Sequence, residues 1–185
     1  MRNFYALDTE TTGFDHNHPL QISAVLFIDG KPKATNNQYL MTAIEIQPDA
    51  YSIHGLSKEK LKDLGAVQWS KGCSDVLANF LGVHPDFPIV AHNVQYDLDT
   101  VMKPAFERVG NMARLPKPER WVCTQELSRN IPGLLSHQLD DVLQHLGMQR
   151  RPGQGRHDAL NDALLCGEAY MRLIVQQKDM SENGK

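Results

Sequence analysis

The sequence is short of the residues that staple or anchor a chain. Its 185 residues include three cysteines, Cys73, Cys123 and Cys166, widely spaced and in no paired motif. That excludes a disulfide framework and a thiolate zinc site, and it fits reduced thiols in a cytoplasmic setting. No apolar run is long enough to cross a bilayer. The first apolar stretch, residues 4–7, is cut off by Asp8 and is too short for a signal-peptide core. Positive charge is lacking as well. A net charge of −3 argues against a protein that coats nucleic acid through phosphate neutralisation. It leaves open an enzyme acting on nucleic acid, because carboxylates gathered to hold cations make the bare chain acidic. Length and a hydrophobic share of 41% fit one globular domain. We place that domain at residues 1–177, with a frayed polar tail at 178–185.

Acid in unusual places is what the chain does have. Asp8 and Glu10 end the first apolar run, within Ala-Leu-Asp-Thr-Glu-Thr-Thr-Gly (6–13). Asp97 closes Ala-His-Asn-Val-Gln-Tyr-Asp (91–97), and His157 and Asp162 lie in His-Asp-Ala-Leu-Asn-Asp-Ala (157–163). Residues two apart on a strand share a face, so Asp8 and Glu10 converge while Thr9 points away. Buried together they would repel, and a divalent cation is the natural neutraliser. Taken alone, Asp-x-Glu fits a solvated strand end better. Asp97 alone fits a first-turn helix acid favoured by the dipole.

The last helix is more telling. Leu160, Ala163, Leu164, Gly167, Met171 and Ile174 form one apolar stripe, and Leu165, Cys166, Ala169 and Leu173 a second. Asp162 heads the second stripe, where an unpaired carboxylate is costly and needs a cation or strong donors. Asp158 competes with it, but its place in the first turn suits capping. His157, just before this helix, is placed to deprotonate an attacking water. His16, His18, His84, His137 and His145 are read as surface or core residues.

Strands are expected at 3–8, 22–28, 33–41, 87–91 and 121–123, with Asp29-Gly30 as a hairpin turn. Residues 52–82 read as helical, with Ser57 and Ser70 as N-caps and Gly65 and Gly82 as stops. Helical spacing over 94–109 contains Pro104, which predicts a kink or a break there. Further helices are expected near 125–130, 137–147 and 158–177. Three leading strands followed by alternating helices and strands imply an α/β fold with a mixed sheet.

In this order the three acidic segments resemble the Exo I, Exo II and Exo III motifs of the DnaQ-like 3′–5′ exonucleases of DEDDh type. That superfamily includes the proofreading subunit of bacterial DNA polymerase III and exodeoxyribonuclease X. The resemblance spans residues 3–175 and includes Ile53-His-Gly-Leu-Ser57. It implies an RNase H-like fold, with a five-stranded mixed sheet flanked by helices. It also implies a site holding two Mg²⁺ or Mn²⁺ ions, with Asp8, Glu10, Asp97 and Asp162 as ligands and His157 as general base. Thr11, Thr12 and His54 become candidates for holding the 3′-terminal nucleotide, with Thr9 and Asn93 beside them. Arg150, Arg151 and Arg156 flank His157 and are candidates for phosphate contacts, Arg156 foremost. Tyr96 stands where phenylalanine is common.

Single-stranded DNA with a free 3′ end is the expected substrate, because unpaired strands thread into a narrow site and stack on its walls. The rivals are an exoribonuclease on short RNA and a non-catalytic module binding 3′ ends or a polymerase. No polymerase-docking segment is seen after the motifs, which favours a free-standing enzyme.

Overall fold

The computed structural model describes residues 2–14, 17–150 and 157–183. It opens with three antiparallel strands, β1 (Phe4–Thr11), β2 (Pro19–Ile28) and β3 (Lys31–Met41). Asp29 and Gly30, at φ 52° and 73°, close the β2–β3 hairpin. Two successive left-handed residues give the turn whose twist matches its strands.

Three short helices follow: α1 (Pro48–His54), α2 (Lys58–Asp63) and α3 (Lys71–Gly82), with the two-residue strand β4 (Val67–Gln68) before α3. Ser57 and Ser70 cap α2 and α3 by accepting the N–H groups of Lys60 and Cys73. β5 (Ile89–Ala91) leads to a π-helix over Gln95–Met102, which passes directly into α4 (Lys103–Arg108). Pro104 causes no break there. It lies in the first turn of α4, where a missing N–H costs nothing, and the wider π turn upstream takes up the adjustment. The chain finishes with β6 (Trp121–Cys123), α5 (Thr124–Ser128), α6 (Leu139–His145) and α7 (Ala159–Asn183). α7 passes the expected end at residue 177, as no glycine or proline lies between that residue and Gly184.

The sheet has six strands, in the order β4-β3-β2-β1-β5-β6, where five were expected. The extra one is β4, which pairs parallel with β3 through Leu40–Val67 and Met41–Gln68. Two exposed residues carry no alternation, so nothing in the sequence marks them as a strand. β5 joins β1, and β6 joins β5, both in parallel.

Alternation along β1 assigns its two faces. Tyr5 and Leu7 join Ile22, Leu40, Leu77 and Phe106 on the side covered by α3 and α4. Phe4 and Ala6 join Val25, Phe27, Ala163, Cys166 and Tyr170 on the side covered by α7. Continuing that period of two, Asp8 and Glu10 fall on the α7 side and Thr9 and Thr11 on the other. Among the described residues, no helix is long and apolar enough to cross a membrane.

α7 approaches the sheet closely at Gly167, where a β-carbon would lie 2.5 Å from Cε2 of Phe27. That ring is fully buried and stacked on Phe4 with centroids 4.7 Å apart, so it cannot yield. Gly167→Ala is therefore expected to destabilise the fold by about 1–3 kcal/mol, against the roughly 1 kcal/mol that alanine adds in a helix. Urea unfolding checks it; a stabilised variant would show that α7 can slide off β2.

Candidate active site

The end of β1 and the start of α7 meet on one side of the sheet. Ligand oxygens of Asp8, Glu10 and Asp162 lie within 4.8 Å of one another. Glu10 and Asp162 are buried, and Asp8 is partly so. Asp97 arrives from the other side of β1, on the π-helix, and is 2% exposed. Thr9 donates its hydroxyl to Oδ1 of Asp97 at 2.8 Å. The alternation of β1 thus does two jobs: even residues present carboxylates, and the odd Thr9 holds the fourth.

Electrostatics confirm the crowding. Burial first, then the charges of Asp97, Glu10 and Asp162, push the Asp8 carboxyl well above its ordinary range, while Arg150 pulls it down. Glu10 is pushed up to about 8 by burial, then by Asp162, Asp158 and Asp97. Asp97 reaches about 7, burial outweighing its hydrogen bond from Thr9. Asp8, Glu10 and Asp97, three carboxyls that resist ionisation, gathered beside a fourth acid, Asp162, are a donor set fitted to a hard divalent cation.

His157 lies beside this cluster, its Nδ1 3.7 Å from Oδ2 of Asp162. Its backbone is left-handed, at φ 58°, which costs a residue with a β-carbon roughly 1–2 kcal/mol. Asp158 caps α7: its Oδ1 accepts the N–H of Asn161 at 3.0 Å.

The remaining predicted residues divide by what their polar atoms touch. Both ring nitrogens of His54 are spent on backbone: Nδ1 accepts the N–H of Leu56 at 3.0 Å, so Nε2 carries the proton and faces the Thr11 carbonyl at 3.1 Å. Burial lowers its pKa, which keeps the ring neutral. Thr12 is 1% exposed, and its Oγ1 accepts the N–H of His18. The side-chain polar atoms of Thr9, Thr12 and His54 are thus engaged with neighbouring parts of the site, which braces it. Thr11 pairs with the Tyr96 hydroxyl at 2.7 Å. Asn93 is exposed, at φ 70°. Arg150 is committed to Asp140 and Asp162, and Arg151 and Arg156 lie outside the described residues.

Beside the acids is a cleft of about 240 Å³ lined by Glu10, Thr11, Phe14, Ile53, Asn93 and Tyr96. Phe14 is 77% exposed at its rim, edge-on to Tyr96. Gln47 supports the loop from below, its Oε1 accepting the N–H of Phe14 at 2.9 Å. Gly13, at φ 131°, is required there, since a β-carbon would run into the Gln47 amide.

Sequence reasoning missed the polar layer under the acids. Gln21 and Ser23, paired across the sheet with Glu10 and Asp8, are fully buried. Gln21 accepts the N–H of Ala159 at 3.1 Å and donates to Asp158 at 3.1 Å, while Ser23 donates to Asn37 at 2.7 Å. This layer seats the first turn of α7, and so Asp162, over β1. The signal was present: two polar residues at alternate positions in the otherwise apolar Pro19–Ile28. His92 was also passed over. Its Nε2 donates to the His137 carbonyl and its Nδ1 pairs with Thr124, both at 2.9 Å, tying the loop after α5 to the end of β5.

The sequence pattern of the RNase T family, described as exonuclease, matches residues 5–170. The chain is 28% identical over 180 residues to the DNA polymerase III PolC-type of Thermotoga maritima, covering 95% of this chain and 12% of that protein. It is 27% identical over 172 residues to the DNA polymerase III subunit epsilon of Rickettsia prowazekii, covering 90% and 72%. The chain therefore spans about an eighth of the PolC-type polymerases it matches. Exonuclease X in complex with 5′ overhanging duplex DNA superposes with a TM-score of 0.66 at 23% identity, over 94% of this chain and 92% of that one. The nuclease domain of 3′hExo, a DEDDh family member, bound to rAMP, gives 0.73 at 15%, over 95% and 92%. These structural likenesses establish the RNase H-like α/β fold.

The raised carboxylates set a pH dependence. A group with a folded pKa above its unfolded one adds stability that is fully present below the unfolded value and lost as pH rises through the folded value. In chelator, thermal stability is therefore expected to fall from about pH 4.5, the ordinary glutamate value, to about pH 8, and added Mg²⁺ should offset the loss. A melting temperature that stays flat across that window in chelator would contradict a single buried cluster.

Proposed function

This chain belongs to the RNase T exonuclease family of DnaQ-like, DEDDh-type nucleases, and on that footing we propose that it hydrolyses phosphodiester bonds at the 3′ end of single-stranded DNA, releasing nucleoside 5′-monophosphates. One observation carries the reading: three carboxylates from the two ends of the chain share a space of 4.8 Å, with Asp97 and His157 beside them. Asp8, Glu10 and Asp162 would hold a Mg²⁺ or Mn²⁺ ion, and Asp97 with Asp8 a second. Such ions supply charge neutralisation at the phosphate and a water made acidic enough to give up its proton.

The protein's own part is to position groups and accept a proton. Nδ1 of His157 faces Asp162 at 3.7 Å, and in the tautomer that carries its proton there Nε2 would take the proton from water. The left-handed backbone at His157 holds the ring at the head of α7. The cleft is smaller than the ~300–1,000 Å³ of drug-sized sites, which suits one terminal nucleotide and requires an unpaired end. Phe14 and Ile53 offer apolar walls for its base, and Thr11, Tyr96 and Asn93 offer polar groups for its sugar. Likeness to polymerase III subunits supports a role beside DNA synthesis and a polymerase as partner. Likeness to a nuclease domain bound to rAMP is the support for an RNA substrate instead.

Asp8→Asn and Asp162→Asn are expected to abolish Mg²⁺-dependent shortening of a 5′-labelled DNA strand, with circular dichroism unchanged. Wild-type rates in both would overturn the site. His157→Ala is expected to lower kcat by roughly 10²–10⁴-fold while Mn²⁺ affinity is kept. Lost Mn²⁺ affinity with normal turnover at saturating Mn²⁺ would make His157 a ligand. Digesting DNA and RNA oligomers of one sequence side by side decides the substrate: faster RNA cleavage by orders of magnitude replaces the DNA reading.

A further inference from the structure

The acidic cluster already has a cation against it. Arg150 follows α6, and its side chain is 16% exposed. Nη1 and Nη2 donate to Oδ1 and Oδ2 of Asp162, the second at 3.2 Å, and Nε donates to Oδ1 of Asp140 at 2.8 Å. The guanidinium thus bridges a buried acid, Asp162 at 6% exposure, and a rim acid, Asp140 at 36%.

We propose that Arg150 is the resident counter-ion of the cation-free site, and that a divalent cation takes Asp162 in competition with this guanidinium. The inference rests on the metal-site reading above. Asp162 is claimed from two sides: a forked pair engages both of its oxygens, and its carboxylate belongs to the cluster with Asp8 and Glu10. A doubly charged ion sharing that carboxylate would lie a few ångströms from the guanidinium, in surroundings where like charges repel strongly. Losing its proton is no escape for the side chain. A guanidinium keeps its proton throughout the range in which proteins are folded. It has to move. Asp140 makes the movement feasible, because the Nε bond survives when the two Nη bonds are given up. In the cation-free state the pair relieves part of the repulsion that Asp8 and Glu10 feel.

Calorimetric titration of Mn²⁺ into the wild type and Arg150→Gln tests this directly. The variant is expected to bind Mn²⁺ more tightly by roughly tenfold, the worth of one charge-assisted pair. In chelator it is expected to melt below the wild type, with a larger rise on adding Mn²⁺. If it does not fold in chelator, Arg150→Lys serves, since an ammonium keeps the charge without the fork; its affinity is expected between the two. Unchanged or weaker Mn²⁺ binding in the variants overturns the proposal, because the guanidinium would then be indifferent or would be holding Asp162 ready for the cation. Absence of Mn²⁺ binding in the wild type as well overturns the metal-site reading itself.

Discussion

Like charges held together at the end of one strand are the constraint on which this molecule depends. Asp8, Glu10, Asp97 and Asp162 would separate in water, and the fold keeps them together at a cost. Burial, joined at Glu10 by the charges of its neighbours, leaves Glu10 and Asp97 with pKa values of about 8 and about 7. A chain can carry such a cluster only if the rest of the structure overdetermines the position of each member. Here two apolar faces of one sheet do so: α7 is pressed on one by Phe4, Phe27 and Tyr170, and α3 and α4 on the other by Tyr5, Leu77 and Phe106. Removing any one acid would relax the repulsion and weaken the cation site together, which is how stability is given up for chemistry at such sites.

The supporting layer around the acids is polar and almost fully engaged. Gln21 uses both ends of its amide to seat α7, Thr9 holds Asp97, His54 locks backbone through both ring nitrogens, and His92 joins the His137 carbonyl to the Thr124 hydroxyl. Groups that would otherwise suit a ligand are thereby consumed in holding geometry. The same logic separates the two halves of the site. On the α7 side, carboxylates face carboxylates and a guanidinium. On the cleft side, Phe14 and Ile53 remain exposed, the two walls that the proposed function gives to a base.

Much of this was legible beforehand, and specific residues show why. Asp29-Gly30, Ser57 and Ser70 announced their turn and caps because each acts through its nearest neighbours. Asp162 stood out because a carboxylate at the head of an apolar stripe violates the pattern around it. Gln21 and Ser23 violated the pattern of β2 in the same way and were passed over, since neutral polar residues in a strand are commoner than buried acids. β4 left no trace, as two exposed residues cannot show a period. Pro104 misled: its effect depends on its position within a turn, and the π-helix before α4 moved that position.

By itself the sequence determined which side chains share a face, since the period of two in β1 puts Asp8 with Glu10, and the helical period puts Asp162 in line with Leu165, Cys166 and Ala169. It also determined the family, because the ordered acidic motifs lie within the exonuclease pattern that matches residues 5–170. Only the tertiary structure decided who faces whom across the gap. That Thr9 serves Asp97, that His54 is spent on backbone, and that Arg150 grips Asp162 follow from distances between segments far apart in the chain. Such distances depend on how helices settle on a sheet, through contacts like that of Gly167 with Phe27, and no local pattern encodes them.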